Sequence, residues 1–451
     1  MGGIDSSILP IGISSIAMDF GGEHASILFL IDGILFASAL IFAGRLGDQI
    51  GLKQVFIAGI GFFTLGSALS SIAESIEWLM LFRFIASIGL TLSLAVSLPI
   101  IMVTIPKQNQ GRSIGYTVMG MSIGAVLGPV VCGFILETLG WKEMYLVLIP
   151  IGISIIIIGY FSIPGTTCRT ARIVSDFPGV FLIFLTLGLF SIGMNLGLLH
   201  QDLLFFAEAM GVSLLAGILF VIWEKRASAP LIDLSFLVQK TIVIPLVIVF
   251  SLYCIYRISS YFLPVYLSEI LRISPLMAGL IMSAGAIIPA IGSPLTGYYM
   301  EKSGIAGMKK LLIISGVFGL LSGVLMIGTP WIGALYAVYL SLFCMGVMFS
   351  LGLTAIYGYY YARVPVDQVG MAGGVFETTI ELSALLAISF VQLFFAAGVF
   401  MSTGGTISAR EIVRESVPGV QILYFFVLLL SIGIILISLK ISVKDSESAA
   451  R

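Results

Sequence analysis

Charge is what this sequence has least of. Asp, Glu, Lys and Arg together make up 10% of its 451 residues, against roughly 25% in soluble domains. A chain so poor in charge is not a water-soluble globular protein. Histidine is almost absent, with only His24 and His200, and there are four cysteines, Cys132, Cys168, Cys254 and Cys344. The cysteines show no paired spacing, so neither a disulfide scaffold nor a metal site is indicated. Three of them fall in apolar runs, where a thiol serves as a small hydrophobe. A formal net charge of -1 excludes a polybasic nucleic-acid binder. The chain has no Gly-x-x-x-x-Gly-Lys phosphate loop and no His-Glu-x-x-His pair, so ATP-driven pumping and metalloprotease chemistry lack their residues. Gly120-Met121-Ser122-Ile123-Gly124 matches the nucleophile-elbow pattern, but that turn needs a strand before it and a histidine partner. Here the serine falls mid-helix and both histidines fall in outer loops. No catalytic set and no cofactor is expected; this is not an enzyme.

What the chain has in abundance is apolar length. Hydrophobic residues make up 59% of it, and glycine occurs 51 times, a residue more frequent in membrane helices than in soluble ones. A helix needs about 20 apolar residues to cross the hydrocarbon core. Such runs lie near 4–20, 26–44, 54–72, 78–105, 113–136, 142–162, 178–197, 203–223, 241–268, 276–299, 310–328, 331–356, 371–399 and 418–439. Fourteen spans leave both termini on one side. Of the 22 Lys and Arg, only Lys142, Arg272, Arg410 and Arg414 fall on the opposite side, while Arg83 and Arg257 lie inside spans. The positive-inside rule therefore predicts cytoplasmic termini. Only four residues precede Asp5, so the first span is expected to start at the membrane surface; an upstream extension of about ten residues would place Asp5 at membrane depth. No cleavable signal peptide is evident.

Two motifs recur. Gly44-x-x-x-Asp48-x-x-Gly51 follows the second span, with Lys53 beyond; Gly297-x-x-x-Glu301-x-x-Gly304 follows the tenth, with Lys309 and Lys310 beyond, an offset of 253. Ile105-Pro106, Gly111 and Gly115 correspond to Val364-Pro365, Gly370 and Gly374, an offset of 259. The chain reads as a six-helix bundle over 1–162, a cytoplasmic loop over 163–176, two inserted spans over 177–224 and a second loop over 225–239. A second six-helix bundle over 240–440 and a tail over 441–451 complete it. Repeated bundles with a site at their interface are a transporter architecture.

Charges inside spans cost about 2.5–3.5 kcal/mol each at a helix centre on insertion scales, so they are candidates for function. They are Asp5, Asp32, Arg83, Glu208, Arg257, Glu377 and Glu381. Glu377 and Glu381 stand four apart, on one helix face. Two such carboxylates in low dielectric cannot both ionise cheaply, which makes them a candidate proton or cation site. A static pair holding helices together is the competing reading, as snorkelling is for Asp5 and Glu208. In the fifth span Gly115, Gly120, Gly124, Gly128 and Gly133 put small residues on one face, where another helix can approach closely. Pro129 removes a backbone hydrogen bond there. Tyr357, Tyr359, Tyr360 and Tyr361 beside Arg363 read as an interfacial aromatic belt.

Gly44-Arg45-Leu46-Gly47-Asp48-Gln49-Ile50-Gly51-Leu52-Lys53 resembles the signature loop of the major facilitator superfamily, and most of the chain fits its fourteen-helix drug:proton antiporter branch. Asp5-Ser6-Ser7-Ile8 resembles the acidic first-helix motif of that branch. Leu81-Phe82-Arg83 with Gly89 resembles the fourth-helix basic motif, with Ala86 where the family has glutamine. Gly124, Gly128-Pro129 and Gly133 resemble the antiporter motif, with Cys132 replacing one glycine. Trp141-Lys142, Asp176-Phe177-Pro178-Gly179, Trp223-Glu224-Lys225-Arg226 and Pro264-Val265-Tyr266-Leu267 fit further segments of the pattern.

The resemblance implies an all-α membrane protein of the major facilitator fold, two six-helix bundles plus two inserted helices. It places the first, second and fourth helices in one bundle, so that Asp5 or Asp32 can meet Arg83, and makes Gly44, Arg45, Asp48 and Gly51 a gating loop. The function implied is proton-coupled efflux of small amphipathic or cationic compounds by alternating access, by a monomer in the plasma membrane. Its partners are a small-molecule substrate, protons and the lipid bilayer, without nucleic acid. A proton-coupled importer of a small metabolite, or a non-transporting membrane sensor or scaffold, is the alternative.

Overall fold

The computed structural model describes residues 1–20, 22–165, 176–194, 203–227, 230–232, 234–267, 271–329, 333–403 and 417–441. Cys168, His200, Arg410 and Arg414 lie outside these residues, as does most of the loop 163–176 and the tail from 442. So do the side chains of His24 and Asp32. Among the described residues the regular elements are all helices, with no strand. In chain order the helices are α1 Gly2–Phe20, α2 Gly22–Ile50, α3 Leu52–Ser70, α4 Ile76–Thr104, α5 Gln110–Thr138, α6 Trp141–Leu146, α7 Leu148–Ser162 and α8 Phe177–Ile192. They continue with α9 Leu203–Glu224, α10 Leu234–Val238, α11 Lys240–Val265, α12 Pro275–Ile327, α13 Ala334–Tyr361, α14 Val369–Thr403 and α15 Val417–Leu439. Among the described residues, ten segments are long and apolar enough to cross a membrane.

Local chemistry sets several helix starts. The Ser75 hydroxyl accepts the Trp78 N–H at the head of α4, and Ser274 does the same for Met277 at α12. Asp176 accepts the Gly179 N–H at α8, an N-cap that satisfies one of the donors a helix leaves open. Prolines inside helices (Pro10, Pro99, Pro129, Pro245, Pro264, Pro289, Pro294) are carried without a break in the helix, as packed membrane helices allow. The sixth expected span is divided at Val147 into α6 and α7. The tenth and eleventh run together as α12, which turns at Gly304 with φ 58°. Gly51, its counterpart in the repeat, has φ 105° and separates α2 from α3. Both turns use the left-handed region that only glycine enters without strain.

Two compact units emerge. The first comprises residues 1–106, 127–239 and 364–381; the second comprises 107–126, 240–363 and 382–451. The start of α5 falls in the second unit and the start of α14 in the first. In the first unit α3 lies along α4, α2 along α4, and α7 along α3. The inserted hairpin of α8 and α9 leans on α2, leaving an apolar crevice of about 300 Å³ lined by Leu35, Phe84, Leu185 and Leu189. In the second unit α12 packs along α13 and α15, and α11 along α13 and α15. Tyr357, Tyr359, Tyr360 and Tyr361 are all buried there, which corrects the expectation of an interfacial belt. Their helix, α13, is flanked by α11 and α12, so its aromatic run is interior, with Arg363 3.7 Å above the Tyr359 ring.

Candidate functional site

Asp5 and Arg83 form a buried, two-pronged ion pair. Arg83 Nη1 donates to Asp5 Oδ1 at 2.7 Å, and Nη2 to Oδ2 at 3.3 Å. The side chains are only 1% and 5% exposed, Arg83 and Asp5 respectively. Four helices build the pocket. α1 supplies Asp5 in its first turn, α4 supplies Arg83, and α6 supplies Tyr145, whose ring centroid lies 5.7 Å from the guanidinium carbon. From α5, the Cys132 thiol donates to the Ile4 carbonyl at 3.7 Å. Gly128 abuts the Gly3 carbonyl and the Ser7 hydroxyl so closely that a Cβ would collide with both. Small residues on α5 thus let α1 come close enough for Asp5 to reach α4. Ala86, where the resemblance has glutamine, packs on Gly66 so closely that a Cβ on Gly66 would collide with it. Removing one partner of such a pair leaves a buried charge uncompensated, at a cost of about 3–5 kcal/mol.

The signature loop grips a helix end. Asp48 Oδ1 accepts the Gly370 N–H and Oδ2 the Met371 N–H, both at 2.7 Å. A carboxylate here meets the open donors and positive dipole end of α14. Burial pushes the Asp48 carboxyl up to about 6, although the two N–H groups and Arg45 pull it down; Asp367 adds to the rise. Gly44 and Gly370 press backbone to backbone, each lacking room for a Cβ, and Gly374 packs on Leu40 and Ile41 in the same way.

The second repeat reproduces this grip. Glu301 Oε1 accepts the Arg112 N–H at 2.8 Å near the head of α5, and Oε2 lies 3.4 Å from Arg112 Nε. Gly111 and Gly297 press together as Gly370 and Gly44 do, and Gly115 meets Ser293 as Gly374 meets Leu40. Two further contacts follow the repeat. Lys53 Nζ donates to the Tyr160 carbonyl at 2.6 Å, near the end of α7. Lys309 Nζ donates to Leu439 and Ile441 carbonyls at 2.7 and 2.9 Å, at the end of α15. Each lysine meets the carbonyl-rich end of the last helix in its half, where a cation is favoured. The sequence signal was a lysine beyond each motif glycine; its acceptor, a backbone oxygen, has no signature.

The other candidates are placed as follows. Gly124, Gly128, Pro129 and Gly133 lie on the continuous α5, but a Cβ at Gly120 or Gly133 would stand in open space. The Ser122 hydroxyl donates to its own helix at Val118, which is no nucleophile geometry. Glu208 is exposed on α9. Glu377 and Glu381 are half-buried one turn apart on α14, and Arg257 is half-buried on α11. Asp32 lies on α2. No group of residues able to hold a metal ion occurs among the described residues.

The profile of the Major Facilitator Superfamily matches residues 1–388. The chain belongs to that superfamily. As a major facilitator it is a multi-pass membrane transporter of small molecules, not an enzyme. It is 28% identical over 409 residues to the riboflavin transporter RibZ of Clostridioides difficile, covering 88% of this chain and 86% of the relative. It is 24% identical over 408 residues to the tetracenomycin C resistance and export protein of Streptomyces glaucescens, covering 88% and 74%. Among solved structures, the proton:xylose symporter XylE superposes with a TM-score of 0.61 at 14% identity, over 94% of this chain and 91% of that one. That likeness bears on the major facilitator fold alone.

Proposed function

We propose that this major facilitator is a proton-coupled exporter of small amphipathic or cationic compounds. It works by alternating access, as a monomer in the plasma membrane with both termini cytoplasmic. The observation that carries the reading is the buried Asp5–Arg83 pair. A proton on Asp5 cancels its charge and breaks the buried ion pair with Arg83, so the surrounding helices must rearrange or the proton must leave. Protonation is thereby tied to conformation. Asp32, Arg257, Glu377 and Glu381 are the further candidates for proton or cation binding. The grips of Asp48 and Glu301 on helix starts far along the sequence must release whenever the loop side opens, which makes Gly44, Arg45, Asp48 and Gly51 the gate. A potential of ~100 mV supplies ~2.3 kcal/mol per proton, enough to concentrate a substrate some tens-fold.

Import of a small metabolite with protons is the second reading, favoured by the similarity to a riboflavin transporter. Proteoliposomes loaded with a pH dye distinguish the two. Proton movement opposite to ethidium supports export; protons and riboflavin moving together would replace it with import. A chain that moves neither is a scaffold. Asp5→Asn is expected to abolish the coupled flux. Asp32→Asn, Glu377→Gln and Glu381→Gln show whether another acid shares the load.

A further inference from the structure

We propose that the second unit carries a site for one anionic phospholipid, with its phosphate at Arg112 and Lys302 and its acyl chain along the groove between α5 and α12. The floor of that groove is the glycine contact. Gly111 against Gly297 and Gly115 against Ser293 bring the two backbones together, so the side chains beside the contact line stand as two walls over a narrow base. On α5 the wall is Arg112, Tyr116, Gly120 and Ile123, spaced four, four and three apart, all exposed. Gly120 leaves open space, with nothing within 4 Å of where its Cβ would stand. On α12 the wall is Ile287, Ile291, Leu295, Tyr298 and Lys302, again all exposed at helical spacing.

Each wall is apolar along its length and ends in a cation. Both cations sit over one ring, Arg112 Cζ at 4.8 Å and Lys302 Nζ at 4.4 Å from the Tyr298 centroid. Tyr298 therefore ties the two walls together at the charged end. Glu301 takes Arg112 Nε and N–H, which leaves guanidinium donors over. Among the described residues Lys302 has no carboxylate partner. A phosphate is the complement of two such cations.

The dimensions fit one leaflet. Eleven residues separate Arg112 from Ile123 and Ile287 from Tyr298, about 16 Å of helix, close to half of a ~30 Å hydrocarbon core. The repeat shows that the fold does not require this arrangement. The counterparts of Tyr298, Lys302 and Arg112 in the other half are Arg45, Gln49 and Met371, which give neither the tyrosine nor the paired cations. The inference is independent of the direction of transport.

The test is native mass spectrometry of the full-length protein in mild detergent, titrated with dioleoyl-phosphatidylglycerol or dioleoyl-phosphatidylcholine. Phosphatidylglycerol is expected to bind more tightly by about five-fold for each cation it meets. Lys302→Gln is expected to reduce that preference about five-fold, while Lys302→Arg keeps it and Lys310→Gln leaves it unchanged. Equal binding of the two lipids, or a preference that survives Lys302→Gln, overturns the proposal. Displacement by inorganic phosphate overturns it too, by making the site one for free anions. Should Lys302→Gln fail to fold, photo-crosslinking of the wild-type chain with a diazirine-tailed phosphatidylglycerol decides. Labels are expected on 116–123 and 287–299, and labels confined elsewhere sink the idea.

Discussion

At the residue scale the asymmetry of an ion pair in a dry site is the point of leverage. Asp5→Ala removes one partner of the buried pair, with an expected loss of about 3–5 kcal/mol. Replacing both, as Asp5→Ala with Arg83→Leu, removes the two charges together and is expected to recover much of it. Thermal melting of the two purified variants checks the order, and a double variant less stable than the single one would refute it. Asp48 allows a second prediction. Its carboxyl titrates near 6 when docked against α14, above its ordinary 3.8, so the docked form holds the proton more firmly than the released form does. The proton's contribution to docking is fully present below 3.8 and lost as pH rises through about 6. Spin labels at Gln54 and Val366 are expected to report a more closed loop at pH 5 than at pH 7.5. In Asp48→Asn the distance is expected to ignore pH across that window.

At the scale of elements, the glycines of α5 differ among themselves. Gly115→Val drives methyl groups into the Ser293 carbonyl, an overpacking cost of about 1–3 kcal/mol or more. Gly120→Ala meets open space and gains up to about 1 kcal/mol of helix propensity. Melting temperatures of the two variants should therefore move in opposite directions. Much of this level was readable in the sequence, because apolar runs of membrane length report helices directly. The turns at Gly51 and Gly304 were legible as a repeated motif. The partners of Asp48 and Glu301 were not, since both acids bond to backbone N–H groups, which carry no side-chain signature and lie 322 and 189 positions away. The four tyrosines misled for a different reason: an aromatic cluster near an arginine looks alike at a membrane interface and in an interior helix. Nor did hydropathy show that Asp5 reaches Arg83; the close approach of α1 to α5 at Gly128 brings it there.

At the scale of the whole molecule, the repeat organises more than the helix count. The same four contacts, an acid on a helix start, two glycine crossings and a lysine on a helix end, occur once in each half. The halves are nevertheless unequal. Asp48 bonds two N–H groups and titrates near 6, whereas Glu301 bonds one N–H and a guanidinium. Exchanging the acids, as Asp48→Glu with Glu301→Asp, is therefore expected to slow coupled ethidium flux several-fold without loss of folded protein, read by flux and by melting in parallel. Flux unchanged by the exchange would mean the two grips are interchangeable.

The paired crossings of Gly44 with Gly370 and of Gly111 with Gly297 bear on how variants of this transporter should be interpreted. A saturation screen is expected to score these four positions among the least forgiving in the chain, ahead of many of its acids. Their intolerance would measure clearance between two carbonyls and would carry no information about cargo. Sorting variants by the volume they add, before sorting them by the activity they lose, is what separates the packing positions from the chemical ones.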